Sequence, residues 1–322
     1  MASPNLSEIT TTTIRSRTRK LADNVSDNTA LLFRLRERGN MRTVSGGEKI
    51  MQELEYAENA TYKRYSGYET LNISPSDVFT AAEFEWKQCA VAVSISGLEE
   101  LKNSGKERMI DLLSSRVANA ERTMINNMST DIYSDGTADG GKQIGGLQLL
   151  VADDPTTGTV GSINRATFSF WQNGLYDFSV ESATPSATTI QTAMNTLWLR
   201  IVRNQDTPDL IVADNVNYEY YWASLQANQR FMDDNMAQAG FQTLKFQQAD
   251  VVFDGGLRGS APANHMYFLC TPYIHYRPHV DRNMVPLNPD RFAVNQDAMV
   301  KLIAWAGNMT LSNAELQGVM ID

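Results

Sequence analysis

The stretch EFEWKQCAVAVSISG, Glu83 to Gly97, decides how this chain is read. It alternates apolar and polar residues, as a strand with one buried face does. The apolar phase changes partway, however. Phe84 and Trp86 share one face, while Cys89, Val91, Val93 and Ile95 share the other. One buried face fixes the register of a strand, so a strand serving a single core should not switch. Either a bulge interrupts it or its two halves pack against different partners.

Working outward, the preceding residues are also strand-like and aromatic. Residues 46–97 read as a long β-hairpin. A first strand runs around Met51 to Tyr68, the tip holds Gly67, Ser74 and Pro75, and the Glu83–Gly97 stretch returns. A two-stranded hairpin of that length is not stable alone, so it must lie on something. Tyr62, Tyr65, Tyr68, Phe84 and Trp86 are its candidate contacts with a neighbouring subunit, because aromatic anchors dominate interfaces.

After Gly97 the period shifts to that of a helix. Ser96 with Glu99, and Ser104 with Glu107, fit capping boxes. Met109, Leu112, Leu113, Val117, Ala120, Met124 and Met128 form one apolar stripe, predicting a helix over 104–128. The run SDGTADGGKQIGG ends it. Further on, Ile190, Met194, Leu197 and Ile201 predict a second helix. PDLIVAD reads as a short buried strand, NYEYYWASLQANQRF as a third helix and ADVVFDGG as a strand into a turn. MYFLCTPYIHYRP is a strand broken at Pro272. Met299, Leu302 and Ala304 alternate in a late strand, and a final piece spans Leu316–Val319.

The chain has 322 residues and a net charge of −9, which argues against a general nucleic-acid binder. The charge is uneven. Residues 1–45 carry Arg15, Arg17, Arg19, Lys20, Arg34, Arg36, Arg38 and Arg42 against four acids, a net of +4, which leaves −13 on the rest. A basic arm on an acidic body can bind a partner or simply be solvated. Within it, Leu31, Leu32 and Leu35 give a short helical pattern ending near Gly39, and SGGEK reads as a hinge. Two cysteines provide no disulfide framework, and no apolar run is long enough to cross a bilayer.

The chemistry-bearing patterns are sparse. GTADGGK followed by Gln143 nearly matches a phosphate-binding loop, but lacks the magnesium-holding hydroxyl and follows a helix instead of a strand. PDLIVAD before a helix lacks the glycine-rich turn of a dinucleotide site. Cys270, His275 and His279 are spaced like loose metal ligands. A polar strand edge with exposed histidines accounts for them better. No residue pattern calls for catalysis, a cofactor or a metal.

The order of elements is distinctive: a basic arm, a long aromatic hairpin, a long capped helix, a mixed region and a late returning strand. It resembles the major capsid protein of tailed phages, the Hong Kong 97-type shell family, over essentially the whole chain. The resemblance implies an α+β fold with an N-terminal arm (1–45), an extended loop (46–97) and a peripheral domain (98–190) with its spine helix at 104–128. An axial domain (191–296) and late strands returning to the peripheral domain (297–322) complete it. TTIQTAMNTLWLRIVRNQDTPDLIVADNVNYEYYWASLQ resembles the axial core, and VPLNPDRFAVNQDAMVKLIAWAGNMTL the returning strands.

What the resemblance implies is a structural protein, not an enzyme. It would self-assemble into pentamers and hexamers of an icosahedral head. The head would assemble in the host bacterial cytoplasm and rearrange as double-stranded DNA enters. Its partners would be a separate scaffold, a portal, decoration proteins and packaged DNA, contacted non-specifically, with no membrane. An acidic inner wall would let DNA slide. The basic arm, through Arg15, Arg17, Arg19, Lys20, Arg34, Arg36 and Arg38, would touch DNA or clasp neighbours, the family favouring the clasp. Two other readings stay open: an encapsulin-like bacterial compartment, and a soluble α/β nucleotide-binding enzyme.

Overall fold

The computed structural model describes residues 29–98, 106–225, 243–254, 261–287, 291–292 and 298–322. It is an α+β molecule in which two sheets share one continuous interior. The helices are α1 (Ala30–Glu37), α2 (Lys106–Asp131), α3 (Ile190–Ile201) and α4 (Asn215–Ser224), besides single turns. The strands are β1 (Ile50–Glu55), β2 (Phe79–Phe84), β3 (Lys87–Ser96), β4 (Thr159–Val160), β5 (Ile163–Asn164) and β6 (Gly174–Asp177). Then follow β7 (Leu210–Ala213), β8 (Thr243–Phe246), β9 (Ala249–Phe253), β10 (Met266–Leu269) and β11 (Ile274–Pro278). The last are β12 (Val285–Pro286), β13 (Arg291–Phe292), β14 (Ala298–Leu311) and β15 (Gly318–Ile321).

β14 organises the first sheet. Its 14 residues pair antiparallel with all of β3, from Ala298 opposite Ser96 to Gly307 opposite Lys87. Its other edge pairs with β11, β12 and β13. The long helix α2 packs on β3 through Val117, Ala120, Met124 and Met128, all buried as the stripe predicts. The stripe's earlier side chains, and Ser104 and Glu99 of the capping boxes, lie outside what is described. Gly146 seals the far end of α2. A Cβ there would strike the carbonyls of Asp131 and Ile132, and Leu147 N donates to Ile132 O at 2.7 Å. No side chain fits so close to a helix terminus.

The second sheet has six strands in the order β6-β15-β10-β7-β9-β8. Its centre is buried on both faces. Ile211 and Ala213 of β7 face α3 and α4, while Leu210 and Val212 join the interior under β14. Burial on both sides explains why LIVA is apolar without alternation. Ile190, Met194, Leu197 and Ile201 of α3 are all buried, as their spacing predicts.

The six-stranded sheet draws strands from several of the ranges read in the sequence. β6 lies within 98–190 and β15 within 297–322, yet both belong to the six-stranded sheet. Of β14 and β15, β14 pairs with β3, the strand on which α2 packs. The broken strand at Pro272 is also two strands. β10 lies in the second sheet and β11 in the first, with a 3-10 turn at Thr271–Tyr273 between them.

The Glu83–Gly97 stretch likewise holds two strands. β2 ends at Phe84 and pairs with β1, while β3 starts at Lys87 and pairs with β14. The long hairpin is therefore shorter than its sequence suggests. Its paired part covers only Ile50–Glu55 with Phe79–Phe84, and residues 56–78 form an irregular loop.

Candidate assembly surface

The β1–β2 ribbon stands on the body through one face only. Ile50, Leu54, Ala82 and Phe84 are buried, whereas Met51, Glu53 and Glu55 point outward. Gly161, at φ +58°, lets the backbone approach: its absent Cβ would lie 2.8 Å from Ala82, and Glu83 N donates to its carbonyl at 2.9 Å. Phe84 is 5% exposed. The expectation that Phe84 lies on a neighbouring subunit is therefore corrected: its ring belongs to its own core.

Trp86 has contacts within its own subunit. It sits half-buried between β2 and β3, donates from Nε1 to Gly47 O at 2.9 Å and meets the His279 ring edge-on at 5.3 Å. It fastens the SGGEK hinge to the end of β11.

The loop beyond the ribbon behaves differently. Tyr56 N donates to Val78 O at 3.0 Å and closes its base, where Tyr56 stacks near Phe170 at 5.4 Å. Asn59 Oδ1 accepts from Thr61 N (2.9 Å), Thr61 Oγ1 (2.7 Å) and Ser76 Oγ (3.0 Å), tying the two limbs together. Past that knot the side chains face solvent. Tyr62 is 79% exposed, Ile73 92%, and Tyr65, Tyr68, Leu71 and Phe79 are exposed too. Lys63 pairs with Glu69 at 3.1 Å, and Arg64 lies 5.9 Å over the Tyr62 ring. Several exposed large apolar groups on one projecting loop are the pattern of a binding surface. Sequence reasoning named the tyrosines and missed Leu71, Ile73 and Met51. The alternation in LNIS, Leu71 to Ser74, is the signal that marks the first two.

Residues 29–44 are not a free arm. Leu31, Leu32 and Leu35 of α1 are fully buried, and Thr29 Oγ1 donates to Ser129 Oγ at 3.1 Å near the end of α2. Arg34 is buried and ion-paired with Asp250, with Glu37 at 3.0 Å and with Asp209 at 3.8 Å. Burial alone would lower its pKa, but the Glu37 hydrogen bond and the charges of Asp250 and Asp209 raise it, so it stays charged. Arg38 reaches Asp209 at 3.2 Å, and Arg36 lies 5.5 Å over the Phe33 ring. Arg34 and Arg38 thus dock α1 onto the acids of the second sheet; for the buried Arg34 the expected contact with DNA or a neighbour is corrected, while Arg38 keeps an exposed side. Arg15, Arg17, Arg19 and Lys20 lie outside the described residues.

The patterns that suggested nucleotide or metal chemistry find other uses. Asp214 caps α4, accepting from Asn217 N at 3.0 Å and Asn264 N at 2.8 Å, so a carboxylate already fills the place a phosphate would take. Just before GTADGGK, Asp135 accepts from Thr137 N at 3.0 Å, and within it the Gly141 carbonyl accepts from Lys87 Nζ at 2.5 Å. That loop offers a carbonyl to a cation and shows no cradle of N–H groups. Cys270, His275 and His279 do not converge, and no cluster able to hold a metal occurs among the described residues. His275 and His279 are half-buried, contrary to the exposed edge expected. No described helix is long and apolar enough to cross a membrane.

No family model matches the sequence. No curated protein matches it either. Solved structures do. The capsid asymmetric unit of cyanophage A-1(L) superposes with a TM-score of 0.64 at 15% identity, over 87% of this chain and 90% of that one. A chain of the satellite phage P4 procapsid, whose structure includes a size determination protein, matches with 0.53 at 12% identity over 100% and 92%. A chain of Microbacterium phage Oxtober96 matches with 0.54 at 9% identity over 91% and 90%. With most of both chains aligned in each case, this chain has the Hong Kong 97-type capsid fold.

Proposed function

We propose that this chain is the major capsid protein of a tailed phage, a non-enzymatic subunit that assembles into pentamers and hexamers of an icosahedral head around double-stranded DNA. The observation that carries this reading is the loop 56–78. The body holds out a ribbon whose inner face is buried and whose tip exposes Tyr62, Tyr65, Tyr68 and Ile73, with nothing among the described residues to cover them. Such a loop is solvated at a cost unless a neighbour covers it, and head-to-tail contacts of this kind close into rings.

The charge supports the same reading. An acidic body binds phosphates poorly, which suits a wall along which DNA must slide. A scaffold, a portal and decoration proteins are the partners such a shell would use; the P4 procapsid structure includes a size determination protein beside its shell. The place of the protein is then the virion, after assembly in a bacterial host. The peripheral unit is β3, β11–β14 and α2; the axial unit is the six-stranded sheet with α3 and α4.

Negative-stain microscopy of the chain expressed in bacteria, with and without a candidate scaffold, tests this. Rings or shells are expected. A monomer or dimer at high concentration in both conditions overturns the reading.

A further inference from the structure

Two arginines lie side by side next to the ribbon. β11 buries Ile274, Tyr276 and Pro278 and turns His275 and Arg277 to the opposite face. Residues 41–44 run parallel to it, Met41 bridging Tyr276 and Val44 bridging His279, which brings Arg42 alongside. Arg277 donates to Gln52 Oε1 at 3.3 Å, a neutral partner. Among the described residues no carboxylate lies within ion-pair distance of Arg42 or Arg277. The local field is correspondingly positive. Burial, then the charges of Arg277 and Arg42, hold His275 down to about 4, and burial and Arg42 lower Arg277.

An exposed cation, Arg42, and a half-buried one, Arg277, both without an acid on a body of net −13, stand where an anion supplied from outside would be favoured. Two guanidinium groups in a strongly acidic surround are a poor site for a polyanion such as DNA, whose binding grows with the number of phosphates neutralised. A short carboxylate segment fits better. The chain carries one: Glu53, Glu55 and Glu58, exposed on the outward side of β1 and its continuation, with no cation of their own chain within ion-pair distance among the described residues.

We infer that Arg42 and Arg277 of one copy receive the Glu53, Glu55 and Glu58 edge of a second copy, so that the ribbon binds its neighbour by charge as well as by its tyrosines. This rests on the shell reading above. It adds a register: the loop 56–78 supplies apolar grip, and the acidic edge fixes where along the neighbour the ribbon lies.

The test is a charge swap read by sucrose gradient and negative-stain microscopy. One variant carries Arg42→Glu with Arg277→Glu, a second carries Glu53→Lys, Glu55→Lys and Glu58→Lys, and a third carries both sets. Each one-sided reversal is expected to lower shell yield about tenfold or more, and the combined variant to recover it. Arg42→Glu alone, at an exposed position, is expected to retain the wild-type melting temperature and still lose yield, so a folding defect at Arg277 leaves the inference testable. Wild-type yield from Arg42→Glu, or no recovery in the combined variant while it remains folded, overturns the inference. So does loss of DNA binding by the unassembled subunit on Arg42→Glu, measured by fluorescence anisotropy with duplex DNA, since the patch would then serve phosphates. Absence of shells from the wild type in the same experiment instead removes the shell reading on which the inference stands.

Discussion

Phe84 and Trp86, two residues apart and in phase along the chain, serve different elements. The Phe84 ring is buried against Gly161 under the ribbon, and the Trp86 indole donates to the Gly47 carbonyl at the hinge. The chain breaks between them, where β2 ends and β3 begins. The switch of apolar face in EFEWKQCAVAVSISG is therefore neither a bulge nor the boundary between one subunit and the next. It is the passage from one sheet to another within one subunit.

That relationship separates two classes of aromatic substitution. Phe84→Ala is expected to destabilise the subunit by about 3–5 kcal/mol, the usual cost of emptying a buried aromatic site. Tyr65→Ala and Tyr68→Ala remove exposed rings and are expected to leave stability within about 0.5 kcal/mol. They are expected to weaken association, because exposed aromatic anchors carry interface energy. Chemical denaturation of the unassembled subunit, alongside shell yield, checks both. Equal loss of stability in all three variants would place the tyrosines in the core and contradict the loop's role.

The contrast also shows where sequence reading succeeds. Val117, Ala120, Met124 and Met128 are spaced for one helix face, and that local spacing suffices to place α2 against a sheet. LIVA is apolar throughout and lies in a sheet covered on both sides. What escaped reading is non-local. β3 alternates well enough to be a hairpin return, but its partner is β14, more than 200 residues away. Arg34 reads as part of a basic arm because the acids that neutralise it, Asp209 and Asp250, are 175 and 216 positions distant. Tyr62, Tyr65 and Tyr68 made an irregular loop look like strand because aromatic residues favour strands, although their spacing of three fits no strand face. The exposed site was thus half legible: its residue types were visible, and its support was not.

Arg34 itself gives a second prediction. Arg34→Met leaves Asp250, a nearly inaccessible carboxylate, without its closest cation. Breaking one side of a buried pair costs about 3–5 kcal/mol when the remaining charge is uncompensated; here Lys245 still stands 3.5 Å from Asp250, so the loss is expected at or below the lower end of that range. The midpoint of urea unfolding is expected to fall with its slope unchanged. Because α1 also carries Leu31, Leu32 and Leu35 into the core, the loss should appear as one cooperative transition. A midpoint equal to wild type would show that α1 docks by its leucines alone.

Gly146 gives a third. Its Cα approaches the terminal carbonyls of α2 so closely that any Cβ overlaps backbone, which cannot rotate away. Gly146→Ala is expected to cost about 1–3 kcal/mol by overpacking. Gly140→Ala, by contrast, meets no neighbour and strains only a left-handed backbone at φ +69°. Melting temperatures of the two variants should fall in that order, Gly146→Ala lower. The reverse order would mean that the end of α2 relaxes readily.

The histidines give opposed pH dependences. Burial would lower the pKa of His265, but its hydrogen bonds to Asp153 at 3.1 Å and to the Ala263 carbonyl, with the charges of Asp153 and Asp214, raise it above the ordinary value. A group with a raised folded pKa adds stability below its unfolded pKa and loses that contribution as pH rises through the folded value. His275 is the reverse. Held at about 4 by burial and by Arg277 and Arg42, it adds stability above its ordinary value of 6.5 and loses it as pH falls from there toward 4. His265→Gln is therefore expected to lower stability more at pH 6 than at pH 8. His275→Gln is expected to make the subunit less sensitive to acid between pH 6.5 and pH 4. Thermal melts of both variants and the wild type across this range check the signs. If His275→Gln is as acid-sensitive as the wild type, carboxylates and not this imidazole set the acid limit of the fold, and the positive field around Arg42 and Arg277 is weaker than their placement implies.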